Sequence, residues 1–259
     1  MKKLLYTFNL RSEEDNREFN STPDEYIGLY LEQSARTTCP WHRALQTLAD
    51  TRLSVREHYA SIKHKFFNRE IDRSTLARGL EPVAATAKVC PAITGVLENS
   101  YLVKAPCEIH ISINSDGEFL CNSASTRLIN IMSHPAKQYL AAGSELFKDS
   151  INLKFELPIL LNSGRVPYVF LQPSYHTAMD WHIPPGSIWG RETLTQQLNV
   201  NTFFSIPKEG VRDIHIRAGT VLAYIWFPEP LKLEYSNRIQ RVDVQQRYLG
   251  ADKFFYRDK

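Results

Sequence analysis

A chain of 259 residues with 43% apolar and 23% charged residues has the balance of a folded globular protein, long enough to bury a core without disulfide or metal staples. The formal net charge of +3 is too small to call for a nucleic-acid partner, and no run reaches the roughly 18 apolar residues needed to span a bilayer. Cys39, Cys90, Cys107 and Cys121 form no C-x-x-C pair and no zinc-ligand spacing, so they read as small apolar fillers in a reducing cytoplasm.

Met1-Lys2-Lys3-Leu4-Leu5-Tyr6 begins like a leader, but charge returns at residues 11–15, so no secretory h-region is expected. Residues 1–10 read as an edge strand and 11–25 as a polar loop. A helical signal runs over residues 22–80. Thr22-Pro23-Asp24-Glu25 opens it with a capping residue, a proline in the first turn and acids at the positive end of the dipole. Val55, Tyr59, Ile62 and Phe66 recur at spacings of four, three and four, which places them on one face. Arg52, Arg56, Lys63 and Arg69 fall largely off that face and read as a solvated surface. A phosphate-contacting patch is the alternative, but no aromatic residues interleave with the cations to stack on bases.

Near residue 100 the period changes from helix to strand. Glu108-Ile109-His110-Ile111-Ser112-Ile113 alternates strictly, Asn114-Ser115-Asp116-Gly117 supplies turn chemistry, and Glu118-Phe119-Leu120-Cys121 returns as a partner strand. Ile151, Leu153, Phe155 and Leu157 alternate again. Residues 166–171, 198–206 and 214–216 are further short strands. Ala218-Gly219 turns into residues 220–227, the strongest buried-strand signal in the chain. Many short strands separated by Gly, Pro and Asn turns predict a barrel or sandwich. The fold class expected is α+β, mainly β: a β-clip or jelly-roll-like barrel core over residues 86–235, an N-terminal mainly helical appendage over 1–85, and a charged tail over 236–259.

No phosphate-binding glycine loop, G-x-S-x-G or H-E-x-x-H is present. His176, Asp180 and His215 offer two imidazoles and a carboxylate, the donor set of a non-haem Fe(II) oxygenase, although no histidine is followed two residues on by an acid. His110 and His215 each occupy the polar phase of an alternating strand, for which exposure is the simplest account. Cys39-Pro40-Trp41-His42 sets a thiol near a base, without an oxyanion hole or an orienting acid; a tryptophan packed at a helix start is the plainer reading.

Two resemblances follow. Thr86-Ala87-Lys88-Val89-Cys90-Pro91, then Ser100-Tyr101-Leu102-Val103-Lys104-Ala105-Pro106-Cys107-Glu108-Ile109, resembles an uncharacterised protein family of contractile-tailed bacteriophages. Ser133-His134-Pro135 with Gln138, Lys154-Phe155, Pro167-Tyr168, Phe170, Gln172-Pro173, Gly219-Thr220 and Leu222-Ala223 are similar to later segments of it. The resemblance spans residues 86–228 and implies a viral origin rather than a reaction.

The C-terminal half also resembles the dUTPase and dCTP deaminase group, which uses a β-clip fold. Val166-Pro167-Tyr168, Gln172-Pro173-Ser174, Gly186-Ser187-Ile188 and Gly219-Thr220-Val221-Leu222-Ala223-Tyr224 fall in matching order. The acid expected after Gly-x-Ile is Trp189 here, which removes a carboxylate that would hold Mg²⁺ and orient water, with Glu192 the nearest replacement; the arginine expected before the loop serine is Pro173. The resemblance implies a pocket that gathers Gln172, Ser174, His176 and Glu192, and trimers as the common assembly of the group; with Asp180 these four are the candidate ligand-binding residues.

The expectation from these readings is a phage-encoded, non-catalytic binding or assembly protein in the infected cell's cytoplasm or in the virion. It would have a protein partner or self-associate, with a nucleotide as a further candidate ligand and no membrane or nucleic-acid partner indicated. No cofactor is required by the sequence. Mg²⁺ enters only with a dUTPase-like nucleotide-hydrolysing enzyme, and Fe(II) only with an oxygenase.

Overall fold

A computed structural model describes residues 2–33, 64, 68, 91–133, 149–164, 166–174, 176, 177, 180–184, 186–188 and 196–239. The helical face through Val55, Tyr59, Ile62 and Phe66, its cations Arg52, Arg56, Lys63 and Arg69, the Cys39 and His42 pair, Cys90, Glu192 and the tail beyond residue 239 lie outside the described residues.

In chain order the elements are β1 (Lys2–Phe8), α1 (Glu13–Ser21), α2 (Pro23–Tyr30), β2 (Leu31–Gln33), α3 (Pro91–Glu98), β3 (Ser100–Lys104), β4 (Ile109–Asn114), β5 (Phe119–Ser123), β6 (Asn130–Ser133), β7 (Ser150–Asn162), β8 (Tyr168–Leu171), β9 (Trp181–His182), β10 (Gly186–Ile188), β11 (Gln196–Ser205), β12 (Val211–Ile216), β13 (Val221–Trp226) and β14 (Leu231–Tyr235). The strands build three sheets. One runs β14-β1-β7-β11-β9 with β6 also on β7, the second β10-β8-β13-β3-β2, the third β12-β4-β5. The described residues are thus mainly β with few helices, as their alternating segments require.

Among the described residues the expected barrel is not formed: none of their three sheets closes on itself. Closure needs the outer strands of one sheet to bond to each other. Here the six-stranded sheet ends on β14 and β9, which do not pair.

By packing the chain divides into two units, Met1–Glu32 with Tyr101–Lys259, and Gln33–Ser100. The first 32 residues, expected within a helical appendage ending at residue 85, therefore belong to the sheet-built unit. β1 is also not an edge strand. It pairs in parallel with β14, Leu4 opposite Leu233, and antiparallel with β7, Phe8 opposite Ile159. Its buried Leu4, Tyr6 and Phe8 supply the reason: a strand that sinks one whole face into the core is stabilised most with neighbours on both edges.

Residues 11–25, expected as loop, contain α1. Ser12 caps it, its hydroxyl accepting the Asp15 N–H at 3.4 Å, and Glu13, Glu14 and Asp15 sit at the positive end of the helix dipole. Phe19 is its buried residue, too thin a stripe to register as periodicity. α2 begins where the sequence places it, with Pro23 in the first turn, although Thr22 makes no side-chain capping bond. Phe19 stacks on Tyr26 at 3.8 Å between ring centroids, and Phe8 packs edge-on against Phe19 at 5.4 Å.

β7 carries Pro158 inside its run. Proline cannot donate to a ladder, and the register with β11 breaks there: Gln197 faces Leu160 but Asn199 faces Glu156, so β7 bulges by two residues. The core face of β7 is Leu153, Phe155 and Leu157, all fully buried. β13 is buried from Val221 to Ile225 without alternation, as expected of a strand covered on both faces. β4 does alternate, with Ile109, Ile111 and Ile113 buried and His110 exposed. Its turn into β5 uses Gly117 at φ 78°, and Asn114 Oδ1 accepts the backbone N–H groups of Asp116 and Glu118 at 3.1 and 2.8 Å.

Candidate functional site

The segment between β8 and β9 carries Gln172, Ser174, His176 and Asp180, four of the five residues expected to line a pocket. Gln172 bridges the two sides of its own loop: Nε2 donates to the Trp181 carbonyl at 2.9 Å and Oε1 accepts the Ile183 N–H at 2.7 Å. Ser174 is exposed. His176 turns inward. Its Nδ1 lies 2.5 Å from the hydroxyl of buried Tyr224, and its Nε2 is buried with no partner among the described residues. Burial pushes the His176 imidazole pKa down, and the charge of Glu32 partly opposes this. Asp180 is exposed; its carbonyl accepts from Arg212 at 2.8 Å, and its carboxylate stands 3.7 Å from the same guanidinium. Two of these side chains thus brace the loop, and two face solvent.

His215 does not join His176 and Asp180 in an iron-type set. It sits on β12, where the antiparallel register places it opposite His110 of β4. The rings stack with centroids 4.2 Å apart and planes 9° apart. The Glu108 carboxylate lies 3.6 Å from His215 Nε2. Among the described residues, Glu108, His110 and His215 form a group that can place one donor atom each within 4.8 Å of the others, and all three are exposed. Sequence reading set His110 and His215 on polar phases, and that holds. It missed Glu108, two residues before His110 and on the same phase. Only the register could have joined it to His215.

Another polar cluster lies on β6 and β7. Lys154 Nζ donates to Glu156 at 2.5 Å, and Asn130 Nδ2 donates to its other oxygen at 2.8 Å. Burial pushes the Glu156 carboxyl pKa up, but these two hydrogen bonds and the charges of Lys154 and Arg11 outweigh it and hold the pKa below its ordinary value. Glu156 lines a small cavity of about 50 Å³ with Arg11, Arg127 and Gln197, room for a few waters rather than a nucleotide. Nearby, the amide of Asn152 is buried on β7, with neither of its polar atoms paired among the described residues. Cys107 and Cys121 are free thiols.

The outer face of the three-stranded sheet carries two large apolar side chains. Leu120 on β5 is 79% exposed and Val211 on β12 is 62% exposed. The hydroxyl of Ser112 on β4, opposite both Leu120 and Asp213, donates to the Asp213 carboxylate at 2.5 Å.

Fold and site define a mainly β, α+β chain whose loop between β8 and β9 is braced internally and whose β12-β4-β5 sheet exposes polar and apolar side chains on one face. No protein-family model, curated protein or solved structure matches this chain. No described helix is long and apolar enough to cross a membrane.

Proposed function

We propose that the chain is a non-catalytic binding or assembly protein of phage origin, on a core of β-clip or jelly-roll type, that self-associates through its three-stranded sheet. The observation that carries the reading is the exposure of Leu120 and Val211 on the outer face of that sheet. β5 and β12 are its outer strands among the described residues, so each edge that a second chain would extend carries one of these two side chains.

The β-clip resemblance is supported by adjacency. Three of its four matching segments reach β8, β10 and β13, which are neighbours in one sheet, with Ile188 opposite Tyr168 and Tyr224 opposite Leu171, and the fourth, Gln172-Pro173-Ser174, follows β8 directly. The non-catalytic reading is supported by the Gln172 amide and the His176 Nδ1, which are engaged within the chain, and by Trp189 standing where the group has an acid.

Sedimentation of the full chain over a range of concentrations tests the reading. The expected result is an oligomer that Leu120→Asp combined with Val211→Asp converts to a folded monomer. A monodisperse wild-type monomer overturns self-association. Release of pyrophosphate from a deoxynucleoside triphosphate with Mg²⁺ overturns the non-catalytic reading in favour of a dUTPase-like enzyme.

A further inference from the structure

Directly opposed residues of an antiparallel pair hold their Cβ atoms about 4.5–5.5 Å apart, and hydrogen bonding fixes that separation on a rigid frame. His110 and His215 are such a pair, and their rings stand nearly parallel at 4.2 Å. Glu108 shares their face because strand side chains alternate with period two. Its backbone is tied to the sheet at the same end, its carbonyl accepting the Ala124 N–H at 2.9 Å. The result is three donors of two chemical kinds on one rigid corner, open to water.

The geometry points to a binding site for a divalent ion of the zinc class, held by Glu108, His110 and His215. Two imidazoles and a carboxylate match the preference of zinc and its late first-row neighbours, whereas Mg²⁺ and Ca²⁺ favour all-oxygen sets. With metal–ligand bonds of about 2.0–2.1 Å, tetrahedral donors lie about 3.3 Å from one another. The three donors already lie within 4.8 Å. Side-chain rotation closes the difference, because His215 and Glu108 are 43% and 56% exposed and no core packing resists it. The fourth position faces solvent and takes water or a donor from another molecule. Without a metal, the same residues form a ring stack with an ion pair between Glu108 and His215 whenever that histidine is protonated.

Titration of metal-free full-length protein with zinc chloride, read by calorimetry and by thermal unfolding, decides between the two. The expected result is a single ion per chain and a rise in the unfolding midpoint as zinc is added, since a ligand that binds only the folded state stabilises it by mass action. His110→Asn with His215→Asn should weaken binding by at least about tenfold and abolish the rise, while His182→Ala leaves both intact. Cobalt(II) provides a second readout: a spectrum without near-ultraviolet thiolate charge-transfer bands excludes Cys107 and Cys121 as the ligands. Equal zinc affinity in the double variant, thiolate bands, or no midpoint rise in the wild-type chain overturns the site. The Leu120→Asp and Val211→Asp chain is titrated in parallel, so that failure of self-association and failure of metal binding are read separately.

Discussion

Asn20 on α1 holds Phe8, the last residue of β1, with both ends of its side-chain amide: Oδ1 accepts the Phe8 N–H at 3.1 Å, and Nδ2 donates to the Phe8 carbonyl at 3.1 Å. The amide thus stands in for a neighbouring strand where β1 stops. Oδ1 also accepts from the Thr7 hydroxyl at 3.0 Å, and Nδ2 reaches the Asn16 carbonyl at 2.7 Å. Asn20→Ala leaves the Phe8 groups and the Thr7 hydroxyl without these bonds. The expected loss is about 1–3 kcal/mol, read as a lower urea midpoint at unchanged slope.

Asn152 presents the opposite case. Its side chain is buried, and both amide atoms lack partners among the described residues. An unpaired buried polar group costs about 1–3 kcal/mol. Asn152→Leu keeps the volume and removes the cost, so the variant is expected to unfold at higher urea by an amount in that range. A lower midpoint would mean that the amide has a partner.

His176 introduces a pH dependence whose sign follows from its lowered pKa. The folded state resists the proton that the unfolded chain accepts near the ordinary imidazole value of about 6.5. Its contribution to stability is therefore complete above that value and declines as pH falls towards the folded value. His176→Asn should flatten the decline in unfolding free energy below about pH 6.5, measured by urea titrations at several pH values. An identical slope in the variant would assign the dependence to other groups.

Gly117 occupies a left-handed conformation at φ 78°, and a Cβ built on it would lie 3.1 Å from the Ile206 Cδ1. Gly117→Ala meets backbone strain and a crowded methyl together. The expected destabilisation is about 1–2 kcal/mol by thermal unfolding, with Gly210→Ala, which has the strain but no contact within 4 Å, costing less.

β4 and β13 were legible as strands, whereas β6 and β14 were not read as such. Ile109, Ile111 and Ile113 write the burial of β4 directly into residue order, and residues 220–227 announce a strand covered on both faces. α1 was not legible, because its stability lies in the Ser12 cap, the Asn20 bridge and one buried phenylalanine rather than in a stripe. Gln172 and His176 carry the chemistry of a ligand site, yet Trp181 and Ile183 meet the Gln172 amide and Tyr224 meets the His176 Nδ1 from inside the chain.

Residue order by itself determined a mainly β chain, the positions of most of its long strands, and the outward phase of His110 and His215. Period-two burial is a local property, readable from neighbours in sequence. Tertiary structure alone decided that β1 lies between β14 and β7, that no sheet closes, and that Glu108 and His110 meet His215 from more than a hundred residues away. Those outcomes depend on strand register and pairing partner, which hydrogen bonds between distant segments select and which no local pattern of apolar and polar residues encodes.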